Sequence, residues 1–416
     1  LKPDPTDPLP RTHRLAHMAA AQALAGATRA PDAIVLGSTT GGILTTEELL
    51  KENIADPKGY RYHGVGSVAE ALARHYGCRG PLITVSTACS SGAAAIFLAM
   101  EMLRSGKATC VLAGGVDSLC RLTYFGFKSL QLMDSMGARP LDRDRCGMSV
   151  AEGAAFLLLT AEPAAKSALQ LLGAGLSCDA YHAATPLADG QGARAAMQAA
   201  MADAGLEPEA IDYINLHGTG TPDNDMAEAR AIHAVFGDRR PLLSSIKGAM
   251  GHPLAAAGAI EAVVAALTIE RGIVPANVGL GSVDPTLNLA PVTAPLCTPV
   301  TTVLSNSFGF GGNNAAVIIG AACDPKHNTL KPPWPPLTVT ASACLTGAGH
   351  TQETWESFCA ARPCSGCLKD LTATEGLPPR TVRRLKRLPK LALALANHAC
   401  QNLEAGKMPV AVSLGT

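Results

Sequence analysis

The sequence predicts an α/β fold in which helices cover a central β-sheet. Apolar runs of strand length alternate with Ala-rich stretches typical of helices. The strand-like runs include DAIVLGS, LITVST, CVLAGG, AAFLLLT, DYINLHG, PLLSSI and NAAVII. Several of them end directly on Gly-containing polar segments. Because ligands bind beyond the ends of buried strands in such folds, a functional site is expected at these positions.

The composition is that of a globular protein with a sizeable core. The 416 residues are 47% hydrophobic and 16% charged, with 34 basic and 34 acidic side chains. Balanced charge gives no overall field that would attract nucleic acid or anionic lipid. No apolar stretch reaches the roughly 18 residues of a membrane span, and no signal peptide is recognisable. We therefore expect a cytoplasmic protein with reduced cysteines, no membrane span and no nucleic-acid partner.

The chain changes character near residue 323. Residues 323–336 contain five prolines and predict a linker. Further on, LALALANHACQNLEAGKMPVAVSLGT follows the same order of Ala-rich helix, loop and strand as LAHMAAAQALAGATRAPDAIVLGST near the beginning. This internal repeat predicts that residues 337–416 start a second, related unit.

Cys89 stands between a predicted strand and a predicted helix in the segment ITVSTACSSG. Unpaired N–H groups and aligned peptide dipoles at a helix N-terminus stabilise an anion, so this position predicts a thiolate with a lowered pKa. The alternative is one more small buried residue, which is the commoner role of a single cysteine.

Two histidines in Gly-flanked turns favour the functional interpretation. His217 lies in NLHGTGT at the end of a predicted strand, and His252 lies in KGAMGHPLAAAGAIE before an Ala-rich helix. A single histidine is usually a structural hydrogen-bonding group, but glycine lets the backbone approach a ligand closely. Lys247 and Glu261 flank His252, and each taken alone is explicable as a surface charge.

Taken together, TACSSG, NLHGTGT, SSIKGAMGHPLAAAGAIEA and NSFGFGGNN make the sequence resemble the β-ketoacyl-[acyl-carrier-protein] synthases of synthase II type, from about residue 12 to residue 320. The resemblance implies a thiolase-like fold, layered αβαβα, with two related halves at residues 1–160 and 161–322. It also implies that the first half lacks the family's opening strand and helix. The chain is then expected to be a fragment of a tandem synthase whose second unit is truncated.

The resemblance assigns a role to each matching residue. Cys89 would be the nucleophile that takes an acyl group from a carrier protein. His217 and His252 would donate to the malonyl thioester oxygen during decarboxylation, while Lys247 and Glu261 hold the second histidine and its loop. The remaining assignments are to the phosphopantetheine arm, for Thr219 and Thr221, and to the gate and acyl pocket, for Phe127, Phe308, Phe310 and Thr40.

The implied reaction is decarboxylative Claisen condensation of an acyl thioester with malonyl-[acyl-carrier-protein], in fatty acid, polyketide or aryl-polyene synthesis. It needs no metal or redox cofactor, and its oxyanion donors would be the backbone N–H groups of Cys89 and Phe310. Thr40 replaces the family's apolar side chain, which indicates either a pocket of different length or polarity or neutral drift.

The implied partners are an acyl carrier protein and a second synthase subunit, in a homodimer or a ketosynthase heterodimer. Because the carrier protein is acidic, a basic rim is expected from Lys128, Arg139, Arg143 and Arg145. Three alternatives remain open: a non-catalytic partner resembling a chain-length factor, a catalytically incomplete fragment, and a thiolase. Thiolases use a second cysteine near the chain end, which NSFGFGGNN lacks.

Overall fold

A computed structural model describes residues 9–161, 169–321, 343–344, 351–360, 379–383 and 385–400. The contacts divide the chain into two compact units, Leu1–Lys331 and Pro332–Thr416. The linker predicted at residues 323–336 lies outside the described residues. Within them, no helix is long and apolar enough to cross a membrane.

The first sheet has the strand order β2-β1-β3-β4, with β4 antiparallel to β3 and the other pairs parallel. Every residue of β1 and β3 is buried, which explains their nearly continuous apolar sequence. The strands are β1 (Ala33–Gly37), β2 (Leu82–Val85), β3 (Cys110–Asp117) and β4 (Gly153–Thr160). The helices of this half are α1 (Arg11–Ala23), α2 (Ile43–Lys51), α3 (Ser67–Tyr76), α4 (Ser91–Arg104) and α5 (Arg121–Ser129).

The second sheet has the order β5-β11-β10-β6-β7, and a separate antiparallel pair joins β8 to β9. Its strands are β5 (Leu169–Cys178), β6 (Tyr213–Asn215), β7 (Leu242–Ser244), β10 (Thr302–Gly309) and β11 (Asn313–Ala321), with β8 at Ile273–Val274 and β9 at Leu296–Cys297. The helices are α6 (Gln191–Ala204), α7 (Pro222–Phe236), α8 (Lys247–Met250) and α9 (Ala257–Arg271). Short 3₁₀ turns lie at Pro57–Tyr60, Ala88–Ser90, Pro208–Ala210, Leu254–Ala256, Pro285–Leu287 and Phe310–Gly312.

The helices and sheets form five layers, with three hydrophobic cores between them. The central core contacts both sheets. One core joins α1 and α3 to the first sheet, the next joins α4 and α9 to both sheets, and the third joins α6 and α7 to the second sheet. The predicted αβαβα layering is therefore confirmed. The two halves are related, because β2-β1-β3-β4 has the same pattern of parallel and antiparallel neighbours as β7-β6-β10-β11.

Small residues bring the two central helices together at the end where α4 begins. A Cβ atom on Gly92 would lie 2.7 Å from the carbonyl oxygen of Ala255, and one on Gly258 would lie 2.9 Å from Cβ of Ala93. Only glycine allows this approach without displacing the neighbouring backbone. The N-terminus of α4 is thereby held against the segment that follows His252.

The second unit contains three described helices, α10 (Thr351–Cys359), α11 (Pro379–Val382) and α12 (Arg387–Cys400). Helix α12 includes the Ala-rich stretch of the predicted repeat. The strand predicted after it, within residues 401–416, lies outside the described residues. That residues 337–416 start a second synthase-like unit remains a prediction.

Candidate active site

Cys89 lies in the 3₁₀ turn between strand β2 and helix α4, as the sequence predicts. The turn is tight, because Ala88 has a φ of +54°, a left-handed conformation that non-glycine residues rarely adopt. Two serine hydroxyls hold it: Ser91 Oγ accepts the Thr87 N–H at 2.9 Å, and Ser90 donates to the Thr87 carbonyl at 2.8 Å. Only 4% of the Cys89 surface is exposed.

Burial dominates the acidity of the Cys89 thiol. It raises the pKa to about 11, against smaller lowering effects from the Lys247 charge and from a hydrogen bond donated by the Phe310 N–H. The prediction of a lowered pKa is therefore wrong, because the cost of desolvating a thiolate exceeds the stabilisation from the charge and the hydrogen bond. The thiol keeps its proton at neutral pH.

The two predicted histidines meet beside this turn. Their rings are 5.4 Å apart between centroids and nearly perpendicular, at 84°. Burial lowers the pKa of both imidazoles well below the usual value, and the Lys247 charge lowers it further. His217 and His252 are therefore neutral at physiological pH, so each carries one N–H that can donate a hydrogen bond. Backbone bonds from His252 N–H to Ser149 (2.7 Å) and from Ala151 N–H to His252 (2.9 Å) fix the second histidine.

Lys247 and Glu261 are buried components of the site, not surface charges. Both are fully buried and form an ion pair with each other. The Lys247 ammonium also donates to Nδ1 of His217 at 3.4 Å. The prediction that this pair holds the second histidine is wrong in this respect, since the observed side-chain contact is with the first, His217.

The hydrogen bond from Lys247 fixes the tautomer of His217. An ammonium group has only donors, so Nδ1 of His217 must accept. A neutral imidazole that accepts at Nδ1 carries its proton on Nε2. His217 is therefore arranged to donate from Nε2.

Glu228 is a site residue that the sequence analysis missed. This buried carboxylate on α7 accepts the backbone N–H groups of His217 (2.9 Å) and Gly218 (2.8 Å) and the side-chain amide of Asn306 (3.0 Å). Burial raises its pKa to about 7. The available signal was a pair of acidic residues, Asp225 and Glu228, three apart in an Ala-containing helix, where they face the same side.

Asp117, at the end of β3, was also missed. It accepts from the backbone and hydroxyl groups of Thr39 and Thr40, from Ser38 Oγ and from the backbone N–H of Ala255. This carboxylate therefore joins the loop after β1 to the segment after His252. It also explains Thr40, whose hydroxyl is bound to Asp117 at 2.9 Å. The hypothesis that Thr40 makes the pocket more polar is not supported, because its polar atom is occupied.

The predicted gate and pocket residues lie in two different places. The rings of Phe127 and Phe310 are 5.5 Å apart, and the Phe310 backbone N–H reaches the Cys89 sulfur. Phe308 instead lies inside the site, 9% exposed, with its ring edge-on to His217 at 5.7 Å. Thr219 and Thr221 are buried, with their hydroxyl oxygens 3.0 Å apart.

The expected basic rim is smaller than the sequence suggested. Arg145 is buried and ion-paired with Asp284 (2.7 Å) and Asp225 (3.4 Å), so it is wrong as a rim residue. Arg139 is half-buried and bound to Asp134. Lys128 and Arg143 are exposed.

Two stacked sheets, a cysteine at the start of the helix between them and two histidines from the second half define a thiolase-like α/β protein with a Cys-His-His site. Residues 3–165 match the family model described as beta-ketoacyl synthase, N-terminal domain, and residues 169–281 match the one described as beta-ketoacyl synthase, C-terminal domain. The chain belongs to the beta-ketoacyl synthase family.

Similar proteins and solved structures support this family assignment. The chain is 38% identical over 269 residues to the mitochondrial 3-oxoacyl-[acyl-carrier-protein] synthase of Arabidopsis thaliana, an alignment that covers 60% of the chain and 58% of that protein. It is similar to the structure of the ishigamide ketosynthase/chain length factor, with a TM-score of 0.71, 33% identity and coverage of 77% and 84% of the two chains. A type II polyketide synthase acyl-carrier protein in complex with its ketosynthase bound to the hexaketide gives a TM-score of 0.66, 30% identity and coverage of 70% and 78%.

Proposed function

We propose that this protein is a β-ketoacyl-[acyl-carrier-protein] synthase that condenses an acyl thioester with a malonyl thioester. The observation that carries the proposal is the connection of its reactive groups. Lys247 bonds His217, His217 lies against His252, and the charge of Lys247 acts on the thiol of Cys89. A nucleophile and two neutral hydrogen-bond donors around one buried cation fit acyl transfer followed by decarboxylation.

In the first step, Cys89 takes the acyl group. Its sulfur attacks the acyl thioester carbonyl, the bond to the carrier's phosphopantetheine sulfur breaks, and that sulfur leaves with the proton the thiol gave up. The oxyanion formed on the way needs donors, for which we propose the backbone N–H groups of Phe310 and Cys89. Thr219 and Thr221 are proposed to contact the phosphopantetheine arm.

In the second step, the malonyl group loses carbon dioxide. Negative charge moves onto its thioester oxygen, to which His217 Nε2–H and the N–H of His252 donate. The enolate carbon then attacks the acyl group on Cys89, forming a carbon–carbon bond and breaking the carbon–sulfur bond. The released thiolate takes up one proton from solvent, which its raised pKa of about 11 favours.

Intact-protein mass spectrometry tests the first step. The protein is incubated with carrier proteins that bear acyl chains of several lengths, alongside Cys89→Ala and Cys297→Ala variants. Cys297 is exposed, so its removal controls for surface thiols. An acyl adduct that is present in wild type and Cys297→Ala but absent in Cys89→Ala supports the proposal. A folded wild-type protein without any adduct would contradict it.

The chief rival is a non-catalytic partner of a ketosynthase. The observation that favours this class is the similarity of the chain to a ketosynthase/chain length factor structure. The presence of Cys89, His217 and His252 in one buried cluster favours the enzyme, because the resemblance implies that chain-length-factor partners lose the nucleophile. Release of carbon dioxide from malonyl-[acyl-carrier-protein] distinguishes the two, since only the enzyme catalyses it.

We further propose that the protein works in the cytoplasm with an acyl carrier protein and a second synthase subunit, in a homodimer or a ketosynthase heterodimer. Relatives with matching folds are ketosynthases whose structures contain a carrier protein or a chain length factor. Residues 1–160 and 161–322 are proposed as the two halves of one catalytic unit. The acyl product is proposed to enter fatty acid, polyketide or aryl-polyene synthesis.

A further inference from the structure

Helix α5, which carries Phe127, is held by few contacts of its own. None of its side chains is buried, and Leu122 and Phe125 are 64% and 58% exposed. The side chain of its N-cap residue, Cys120, accepts no backbone N–H of the helix and contacts the Thr123 hydroxyl instead, at 3.3 Å. The first turn contains no acidic residue. A helix with so little burial has low local stability, so contacts from outside it decide its position.

The N-terminus of α5 is capped by a carboxylate from another element. Glu47 on α2 accepts the backbone N–H of Arg121 with one oxygen (2.9 Å) and the N–H of Leu122 with the other (2.7 Å). These are the first two N–H groups of the helix, which have no partner within it. A negative charge at this end also interacts favourably with the positive end of the helix dipole.

The segment that leads into helix α2 is anchored in the core. The helix begins just after Thr39 and Thr40, whose backbone N–H groups each donate to the buried Asp117 at 2.8 Å. Glu47 therefore connects α2, whose start is anchored, to α5, which has few contacts of its own. Another contact of α5 with the rest of the protein is made by Phe127, whose ring lies 5.5 Å from that of Phe310.

We propose that Glu47 is a positioning residue that holds α5 so that Phe127 and Phe310 together cover Cys89. The inference rests on the proposed function and on the gate role that the resemblance to the synthases implies for these two rings. Loss of the carboxylate frees the start of α5, the contact between the two rings loosens, and Cys89 becomes more accessible. Glu47 has this effect through α5 and does not touch the substrate.

The test measures access to the thiol directly, with iodoacetamide at fixed pH and peptide mass spectrometry to follow alkylation of Cys89. Removal of a cap shifts a local equilibrium enough to make Glu47→Ala react about fivefold faster than wild type. Glu47→Gln, which keeps an acceptor oxygen without the charge, is expected between the two. The matched control is Glu48→Ala, because Glu48 is the exposed neighbour on the same helix.

Cys110 serves as an internal monitor of folding. It is buried in strand β3, so its alkylation reports opening of the sheet and not of the gate. The expected result is a higher ratio of Cys89 to Cys110 labelling in Glu47→Ala and no change in Glu48→Ala. An unchanged ratio in Glu47→Ala, or an equal rise in both glutamate variants, would overturn the inference.

Alkylation does not depend on the reaction that the protein catalyses, so the two proposals fail separately. Absence of acyl transfer to wild-type Cys89 would contradict the proposed function and leave the labelling ratio informative about Glu47. A Phe127→Ala variant tests whether Glu47 acts through Phe127. If both changes open the same gate, Cys89 is labelled no faster in the double variant Glu47→Ala/Phe127→Ala than in Phe127→Ala. If the rate increases of the two single variants multiply in the double variant, the two changes do not act on the same gate.

Discussion

Lys247 donates a hydrogen bond to Nδ1 of His217 across 3.4 Å, and this bond decides which nitrogen of the imidazole carries the proton. The same ammonium group is ion-paired with the buried Glu261, which holds it in place. Its charge lowers the pKa of both histidines and, to a smaller extent than burial raises it, the pKa of Cys89. One buried cation thus acts on three reactive groups, although burial has the larger effect on the pKa of each.

Lys247→Met is expected to lower malonyl decarboxylation by about 10²-fold, because His217 loses the bond that presents Nε2–H to the thioester oxygen. It also leaves Glu261 without its cation, at a cost of about 3 kcal/mol in the free energy of unfolding. Release of labelled carbon dioxide and urea denaturation measure the two effects. Lys58→Met, at an exposed position, is the control.

The double variant Lys247→Met/Glu261→Leu separates the two effects. Removing both charges is expected to restore most of the stability, since no unpaired carboxylate remains in the core. Decarboxylation should stay low, because the tautomer of His217 is still unfixed. Recovery of decarboxylation together with stability would show that Lys247 acts only on folding.

The raised pKa of Cys89 predicts an unusual pH profile for its alkylation. A thiol with a pKa of about 11 is protonated at neutral pH, and only the thiolate reacts. The rate constant at Cys89 is expected to rise about tenfold per pH unit between pH 7 and pH 10. Iodoacetamide labelling with peptide mapping measures it, and Cys89→Ala assigns the signal. A plateau below pH 8 would contradict the burial argument.

Asp117 raises the pKa of Cys89 through its negative charge, although it contributes less than burial. Asp117→Asn is therefore expected to shift the alkylation profile of Cys89 to lower pH. The same change removes an acceptor for the backbone N–H of Ala255, which destabilises the fold by about 1–3 kcal/mol. Asp56→Asn, an exposed aspartate, is the control. A profile that does not move to lower pH would show that the charge of Asp117 does not reach the thiol.

The fold was predictable from the sequence because its signals are local. Wholly buried strands such as β1 and β3 are nearly continuous apolar runs, and the helices between them are Ala-rich. The position of Cys89 between a strand and a helix was also visible. Its pKa was not, because a helix N-terminus is a local feature whereas burial depends on the complete tertiary structure.

The supporting carboxylates were missed for a related reason. Glu228 bonds Asn306, and Asp117 bonds Ala255, across 78 and 138 residues of sequence. No spacing rule connects such pairs. Arg145 shows the same limit in reverse: its charge suggested an exposed rim, yet Asp225 and Asp284 hold it inside the protein.

The buried His13 leads to a prediction about the pH dependence of stability that no local sequence pattern indicates. It is fully buried on α1, with Nε2 3.1 Å from Ser67 Oγ and its ring edge-on to Tyr62 at 4.9 Å. Burial, followed by the charges of His17 and Arg74, lowers its pKa to about 4. The unfolded chain binds a proton at this residue near pH 6.5, whereas the folded chain does not until about pH 4. Protonation therefore favours unfolding throughout this window.

The stabilisation that neutral His13 retains at pH 7 is expected to be lost as the pH falls from about 6.5 to about 4, with a total near 3 kcal/mol. His217 and His252 act in the same direction, and the raised pKa values of Glu228 and Glu261 act in the opposite one, so the difference between variants is the informative quantity. Urea denaturation at several pH values should show a flatter profile for His13→Leu than for wild type. His75→Leu, at an exposed position, should keep the wild-type slope, and equal slopes in wild type and His13→Leu would contradict the prediction.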